Sequence, residues 1–321
     1  MPDSKLDTII AELNKKFGPN TINRHQDTPV VEADYISTGS PFLNWCITGI
    51  DKGIPRGRIV EFFGLPSSGK SLICQTIVAE SQKKGEDCVW IDAENAFDPE
   101  FAKKLGVDID RLIISQSSIG EPTIDLVCKL LEGKPAIIVI DSVASMVPMD
   151  DMEKSLMDPT MATRARLMSR GVAKISALNH HTVVIFINQL RTDIGAFSSY
   201  GTPTITTGGR ALGHYASVRV DVRRGEILEE DKKKIGQVVK FRIVKNKVGP
   251  PFKEGYFNFY YDGRIDVVDQ IVSLALLENK VVPSGSWFNV GKQKFQGKEA
   301  FVAAVREDTK LFQEIVDSLK K

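Results

Sequence analysis

Residues 64–71, Gly64-Leu65-Pro66-Ser67-Ser68-Gly69-Lys70-Ser71, hold the densest chemistry in the chain, because they satisfy the spacing G-x-x-x-x-G-K-[ST]. In that pattern the glycines let backbone N–H groups turn inward around phosphate oxygens. The Lys70 ammonium offers a point charge to the β- and γ-phosphates, and the Ser71 hydroxyl can ligate Mg²⁺. The apolar run Ile59-Val60-Glu61-Phe62-Phe63 comes before it and residues 72–83 read as a helix after it, so the phosphates would also meet a helix N-terminus and its dipole. A mere strand-to-helix turn needs neither the lysine nor the hydroxyl at those offsets, so nucleotide binding is the stronger reading.

Two further apolar runs end in acids. Residues 136–140 lead into Asp141, which can hold the water around Mg²⁺, and Val89-Trp90-Ile91 leads through Asp92 to Glu94, a carboxylate placed to orient and deprotonate an attacking water. Taken singly, a strand-terminal acid is as readily a helix cap or a solvated loop residue. Beside a phosphate loop in a parallel sheet, both acids fall at the edge where ligands bind. A third run, residues 183–187, ends in Asn188-Gln189, an amide placed to sense a γ-phosphate.

Two segments read as binding loops. Residues 191–209 show no strand or helix pattern over nineteen positions and are rich in Gly, Ser and Thr, with Phe197 and Tyr200 interrupting the polar run. Such an aromatic can stack on exposed bases or serve as a small packing anchor. The other segment lies between Pro148 and Pro159, followed by a helix bearing Arg164, Arg166, Arg170 and Lys174. The last three are four apart and form one basic stripe, with Leu167, Gly171, Ile175 and Leu178 on the adjoining face. A solvated helix face accounts for such a stripe; two loops beside a nucleotide site favour a phosphodiester track.

The elements that must position these residues alternate from about residue 35 to 265. Short apolar strands at 58–63, 88–91, 112–115, 136–140, 182–187, 217–223 and 238–244 are separated by helical segments, the pattern of a mostly parallel sheet with helices on both faces. Val239, Phe241 and Ile243 alternate with Lys240 and Arg242, so the sheet ends in strands with one wet face and is mixed. At the amino end, Ser4 with Asp7 forms a variant capping box, and Leu6, Ile9, Ile10, Leu13 and Phe17 recur at helical spacing until Gly18-Pro19. Its apolar stripe needs a partner, either its own domain or a neighbouring subunit. After Ile265 a small unit follows, with a helix through Val267, Val268, Ile271 and Leu274, an aromatic segment at Trp287-Phe288 and helical pieces to the end. The expected organisation is 1–34, helix and linker; 35–265, α/β core; 266–321, a small α+β domain.

Composition excludes several classes. The 321 residues are 42% hydrophobic and carry 42 Lys+Arg against 41 Asp+Glu, so most of the chain folds and any polyanion site is local rather than global. Cys46, Cys74, Cys88 and Cys128 form no CxxC pair. The apolar runs are too short to span a bilayer, and the expectation is a reduced, soluble, cytoplasmic protein without a membrane partner.

The strings GLPSSGKS, WIDAENAFDP, IVIDSVASMVP, ARLMSRGVAKIS, VIFINQLRTDIG, TTGGRALGHYASVRVDVRR and VKNKVGPPFKEGYF occur in this order and resemble the bacterial RecA-type recombinases over nearly the whole chain. INQLR, TTGGRAL and VKNKV lie outside the features that all P-loop ATPases share. The resemblance implies a RecA-like P-loop ATPase core with an N-terminal polymerisation helix that docks on the adjacent subunit. It implies an ATP- and Mg²⁺-dependent enzyme that forms a helical filament on single-stranded DNA, pairs it with homologous duplex and exchanges strands, serving DNA repair and the SOS response to DNA damage. Single-strand-binding and loading proteins are implied partners.

By position, the resemblance makes Lys70 and Ser71 the phosphate and Mg²⁺ residues, Glu94 the general base, Asp141 the Mg²⁺ support and Gln189 the sensor joining ATP to the second DNA loop. It makes Asp98 and Tyr261 adenine contacts, with Phe101 where the family commonly has a tyrosine. Lys245 and Lys247 match a pair that reaches a neighbour's γ-phosphate; by spacing alone they are two lysines just past a strand, read as edge protection. Met161, Arg166 and Ser169, with Arg170 beside them, align with the first DNA loop. Ile194, Gly208 and Gly209 align with the second, whose aromatics are Phe197 and Tyr200 and whose first residue, Arg191, is a further DNA-contact candidate.

Several positions depart from the family pattern. Gly213-His214 stands for the usual Lys-Phe at the subunit interface, Arg210 for an Asn, and the second loop is slightly longer. The ending Ser318-Leu319-Lys320-Lys321 lacks the long acidic tail, so restraint of duplex binding by a tail is expected to be absent, as in a compact or phage-encoded homologue. The rival readings are a ring-forming, helicase-like ATPase of the same core and a DNA-binding filament protein that uses ATP only as a switch. The terminal units and INQLR count against the first, Glu94 and Gln189 against the second. Arg166→Ala is expected to weaken DNA binding and to flatten its salt dependence by roughly one unit of log–log slope; a salt titration with an unchanged slope returns this helix to a solvated face.

Overall fold

In a computed structural model the described residues are 4–19, 21–24, 34–155, 162–192, 204–290 and 293–320. They fall into two units, Met1–Asp34 and Tyr35–Lys321. The first holds helix α1 (Lys5–Phe17), whose capping box is closed from both sides: the Asp7 N–H donates to Ser4 Oγ at 3.3 Å and the Ser4 N–H to Asp7 Oδ2 at 3.0 Å. Gly18, at φ 111°, ends it, and Leu6, Ile9 and Phe17 stay exposed.

The second unit opens with β1 (Tyr35–Ile36), α2 (Pro41–Ile47) and β2 (Ile54–Pro55), the two short strands pairing antiparallel. Then β3 (Ile59–Gly64), α3 (Lys70–Lys83), β4 (Cys88–Asp92), α4 (Pro99–Lys104), β5 (Ile113–Ser115), α5 (Gly120–Leu130) and β6 (Ile137–Asp141) alternate as expected. They are followed by α6 (Met149–Glu153), α7 (Thr163–Leu178), β7 (Val183–Thr192), β8 (Thr204–Thr206), α8 (Ala211–Tyr215), β9 (Val218–Glu230), β10 (Lys233–Asn246) and β11 (Glu254–Tyr260). The main sheet runs β11-β10-β9-β3-β7-β6-β4-β5, with β8 beside β7. Pairing is parallel from β9 to β5 and antiparallel through β9, β10 and β11, which is the mixed sheet read from the charge alternation.

Alternate residues of the central strands feed two core layers. Val60, Phe62, Trp90, Val139 and Ile185 face one layer, together with α2 and α3; Ile59, Val89, Ile91, Ile138, Ile140, Val184 and Phe186 face the other, against α5, α7 and α8. The carboxyl-terminal elements are α9 (Val267–Leu277), the antiparallel strands β12 (Pro283–Ser284), β13 (Trp287–Val290) and β14 (Gln293–Gln296), and helices α10 (Lys298–Glu307) and α11 (Thr309–Lys320). Ile271, Leu274, Phe301, Leu311 and Ile315 join the first layer, so this core continues past residue 265.

Several boundaries differ from the pattern in the sequence. β9 and β10 run well beyond 217–223 and 238–244 and meet in a hairpin at Asp231 and Lys232, both at positive φ (48° and 63°). That turn usually carries Asn-Gly or Asp-Gly, and here no glycine announces it. β11 adds a strand beyond those expected, and α6 occupies the start of the expected loop after Pro148. Among the described residues no helix is long and apolar enough to cross a membrane.

Trp90 is 1% exposed, lies 5.3 Å from the Phe97 ring, and its Nε1–H has no partner. Because an unmet buried donor costs on the order of 1–3 kcal/mol, Trp90→Phe is expected to change stability by less than about 1 kcal/mol, whereas Trp90→Ala should cost about 3–5 kcal/mol. Denaturant titration of the two variants checks this.

Candidate active site

Four neighbouring parallel strands, β3, β7, β6 and β4, bring their carboxyl ends to one edge of the sheet. Their register sets Gly64 opposite Gln189 and Asp141 opposite Asp92. At Gly64 a Cβ would lie 2.1 Å from the Val222 carbonyl oxygen and 2.9 Å from Ser68 Oγ, so only glycine lets the loop leave the strand this closely. Leu65, Pro66 and Ser67 are exposed, while Gly69, at φ 101°, turns the chain into α3.

Lys70 is 8% exposed and folds back, its Nζ donating to the carbonyls of Leu65 at 2.8 Å and Gly64 at 3.3 Å. Burial lowers its pKa, opposed by Asp141 and Glu94. Ser68 Oγ is buried without a partner. A buried ammonium that meets only carbonyls and an orphan hydroxyl in a glycine-shaped cradle fit a polyphosphate.

Ser71 Oγ donates to Asp141 Oδ2 at 2.8 Å. Burial, joined by the charges of Glu94 and Asp92, raises the Asp141 carboxyl to about 6 against the downward pull of the Ser71 hydrogen bond and of Lys70. Among the described residues no group of three or more His, Cys, Asp or Glu is set to hold a metal by itself. One hydroxyl and one carboxylate, backed by surplus negative charge, suit Mg²⁺, which takes its remaining ligands from water and phosphate. Asp92, given no role by its spacing, is 2% exposed and accepts the N–H groups of Ala96 at 3.1 Å and Phe97 at 3.0 Å, which folds the turn that carries Glu94. The Ala93 N–H, at 2.7 Å, and the Glu94 N–H, at 3.2 Å, bond the Asp141 carbonyl and tie that turn to β6.

Glu94 is exposed, and its Oε1 accepts from Ser142 Oγ at 2.5 Å and from Gln189 Nε2 at 2.9 Å. The acid and the amide expected at separate strand ends therefore touch. The Asp98 carboxylate caps α4 through Glu100 N at 2.9 Å and Phe101 N at 3.0 Å. Phe101 and Tyr261 both pack on Phe259, with ring centroids 6.0 Å and 6.2 Å away, and the Tyr261 ring remains 42% exposed.

Lys245 Nζ donates to the carbonyls of Gly213 at 2.6 Å and His214 at 2.8 Å, and Lys247 Nζ to His214 O at 3.3 Å. Their ammonium groups are engaged locally rather than left free along a sheet edge, since both lysines cap carbonyls of α8.

In the segment expected to form the first DNA loop, Arg166, Ser169 and Arg170 are exposed on α7, and Met161 lies outside the described residues. The basic stripe is partly neutralised, since Lys174 pairs with Asp125 at 2.6 Å and Glu121, Asp125 and Asp150 line the same cleft as Arg166 and Arg170. The nineteen positions read as structureless begin and end as a hairpin: β8 returns along β7 with Leu190 opposite Thr206 and Arg191 opposite Ile205. Ile194, Phe197 and Tyr200 lie outside the described residues. Gly208 and Gly209, at φ 86° and 79°, let the returning chain lie on α7: a Cβ at Gly208 would be 2.9 Å from Met168 Cγ, and one at Gly209 3.0 Å from Ala165 Cβ. The two segments thus share a packing surface. Arg191 and Arg210 are exposed, and the positive charge of Arg191 adds to burial in lowering the pKa of Arg164.

A family model described as the RecA N-terminal domain matches residues 4–266. The chain belongs to the RecA family. It is 41% identical to Protein RecA of Chlorobium limicola, covering 97% of this chain and 89% of that protein. To Protein RecA of Rickettsia prowazekii it is 42% identical, covering 95% and 90%. As a RecA-family member it is an ATP- and Mg²⁺-using, DNA-dependent ATPase and recombinase that binds single-stranded DNA as a filament.

Raising an acid's folded pKa above its unfolded value of 3.8 stabilises the fold below that value, and the benefit is lost as pH rises to about 6. Asp141→Asn in EDTA is therefore expected to raise the melting temperature at pH 7.5, with the gain vanishing below about pH 4. The same variant should lose the stabilisation that Mg²⁺–nucleotide gives the parent; thermal scans across pH, with and without Mg²⁺–ADP, read both.

Proposed function

We propose that recombination by this chain is gated by a hydrolytic centre that senses DNA through one shared carboxylate. The observation that carries the reading is Glu94 Oε1 receiving both the Ser142 hydroxyl and the Gln189 amide. Lys70 holds the β- and γ-phosphates, and the Ser67, Ser68 and Gly69 backbone wraps them. Mg²⁺, when bound beside Ser71 and Asp141, neutralises charge developing on the phosphate oxygens. Glu94 takes a proton from water as its oxygen bonds the γ-phosphorus and the bond to the bridging oxygen breaks.

Gln189 stands at the start of the second DNA segment, so DNA on Arg191, Ile194, Phe197, Tyr200, Gly208, Gly209 and Arg210 pulls on the group that holds the base. Met161, Arg166, Ser169 and Arg170 contribute the first segment's contacts. Asp98, Phe101 and Tyr261 receive the adenine, with Phe101 supplying a ring face and no hydroxyl. Lys245 and Lys247 exchange their α8 carbonyls for a neighbour's γ-phosphate when subunits stack, and α1, with residues 1–34, docks on that neighbour. Residues 266–321 act as a small domain leaning on the core. The reading extends to single-strand-binding and loading proteins as partners, to homologous duplex as second substrate, and to the cytoplasm of a bacterium or of a phage host as location.

The test is joint-molecule formation from labelled single-stranded DNA and homologous supercoiled duplex with Mg²⁺, with and without ATP, against a non-homologous duplex. Product that requires both ATP and homology is expected. Rings by microscopy with DNA-stimulated hydrolysis and no product would instead mark a helicase-like motor. Glu94→Gln should keep DNA binding and lose at least about 100-fold in turnover, while Lys70→Ala should abolish nucleotide-driven filaments; unchanged turnover in Glu94→Gln would reassign the base.

A further inference from the structure

A second polar network lies beneath the hydrolytic centre, in a place where neither strand pairing nor the nucleotide requires one. Glu61, in the interior strand β3, is 0% exposed. Its Oε2 accepts Arg219 Nε from β9 at 2.5 Å and its Oε1 accepts Asn188 Nδ2 from β7 at 2.9 Å. Asn188, also 0% exposed, donates from the same nitrogen to the Thr207 carbonyl at 2.9 Å and accepts the Gln189 N–H on Oδ1 at 2.9 Å. Both amide hydrogens and the amide oxygen are used. Thr207 N–H donates to the Gln189 carbonyl at 3.3 Å, so Gln189 is gripped on both sides of its backbone. Arg219 also stacks on Phe63, the residue before the phosphate loop, at 4.8 Å.

Interior parallel strands are ordinarily runs of Val and Ile, and β3 apart from Glu61, like residues 183–187 of β7, is apolar here. An ion pair whose carboxylate is fully buried and whose guanidinium is half-buried is weak support for stability, because desolvation offsets much of its attraction. Its directionality is what apolar side chains cannot copy: three donors with fixed geometry tie β3, β7, β9 and the returning limb of the second DNA segment to one register.

We propose that Glu61, Asn188 and Arg219 are positioning residues that lock Gln189 and Thr207 together, so that a displacement of the second DNA segment reaches Glu94 as a displacement of the Gln189 amide. This rests on the reading of Gln189 as the sensor. Without the clamp, the segment moves on DNA and Gln189 does not follow.

The experiment measures ATP hydrolysis with and without single-stranded DNA, and binding of a fluorescent ADP, for the full chain carrying Asn188→Ala, Gln189→Ala, both together, and Glu61→Gln. The clamp requires that Asn188→Ala lower DNA-stimulated kcat by about tenfold or more with the KM for ATP within about twofold, since small misplacements of a catalytic group cost rate rather than binding. It also requires that the double variant be no worse than Gln189→Ala alone. Glu61→Gln, which keeps shape and an acceptor for Asn188, should show the same kcat-selective loss in smaller degree and guards against an Asn188→Ala chain that fails to fold. Losses that multiply in the double variant, or that fall equally on ADP binding, would make the network merely structural and overturn the proposal. Stimulated turnover near the parent's in Asn188→Ala, with Gln189→Ala inactive, overturns the clamp alone; full turnover in Gln189→Ala removes the sensor and the clamp together.

Discussion

The register of the parallel strands β3, β7, β6 and β4 is the constraint on which the rest of the molecule depends. It sets Gly64 opposite Gln189 and Asp141 opposite Asp92, so residues separated by up to 125 positions share one edge. A slip of one residue in any of these strands would exchange the side chains of its two core layers and take its chemistry-bearing end out of line with its neighbours. Close packing on both faces resists that slip, with Val60, Phe62 and Ile185 in one layer and Ile138, Ile140 and Phe186 in the other.

On that edge, charge is concentrated where burial disfavours it. Lys70 is buried against carbonyls, and Asp141 is held partly protonated by desolvation and by two neighbouring acids. These are costs to the fold that a Mg²⁺-bound polyphosphate seated as proposed would relieve, and a ligand that does so stabilises the folded state. The same economy runs through the DNA segments. Gly208 and Gly209 give up conformational restriction so that the chain returning from β8 lies directly on α7, as the joint DNA surface proposed above requires.

Much of this was legible in the residues. The phosphate loop, Asp141, Glu94 and Gln189 all sit at the ends of strongly apolar runs, and such runs report strands well. The outer halves of β9 and β10 were not legible, because residues 224–230 and 233–237 show no apolar alternation beyond Ile227, Leu228 and Ile235, and Asp231-Lys232 makes a turn without the usual glycine. Asp92 carried no signal of its own, since a buried acid that folds a turn has the same letters as a solvated one. The basic stripe on α7 is legible from its spacing, while the acids of α5 that face it are some fifty positions away, as Asp125 is from Lys174.

The amino-acid sequence by itself determined the nucleotide chemistry, the alternation of strands and helices, and the family, because each is written in residue types at short, fixed spacing. Tertiary structure decided which of those groups meet. That Glu94 and Gln189 share a hydrogen bond, that Lys245 and Lys247 rest on α8 carbonyls, and that Glu61, Asn188 and Arg219 form one network all follow from strand order and register. Those are properties of contacts distant along the chain, and they are set by how two apolar layers close over a sheet rather than by any local pattern.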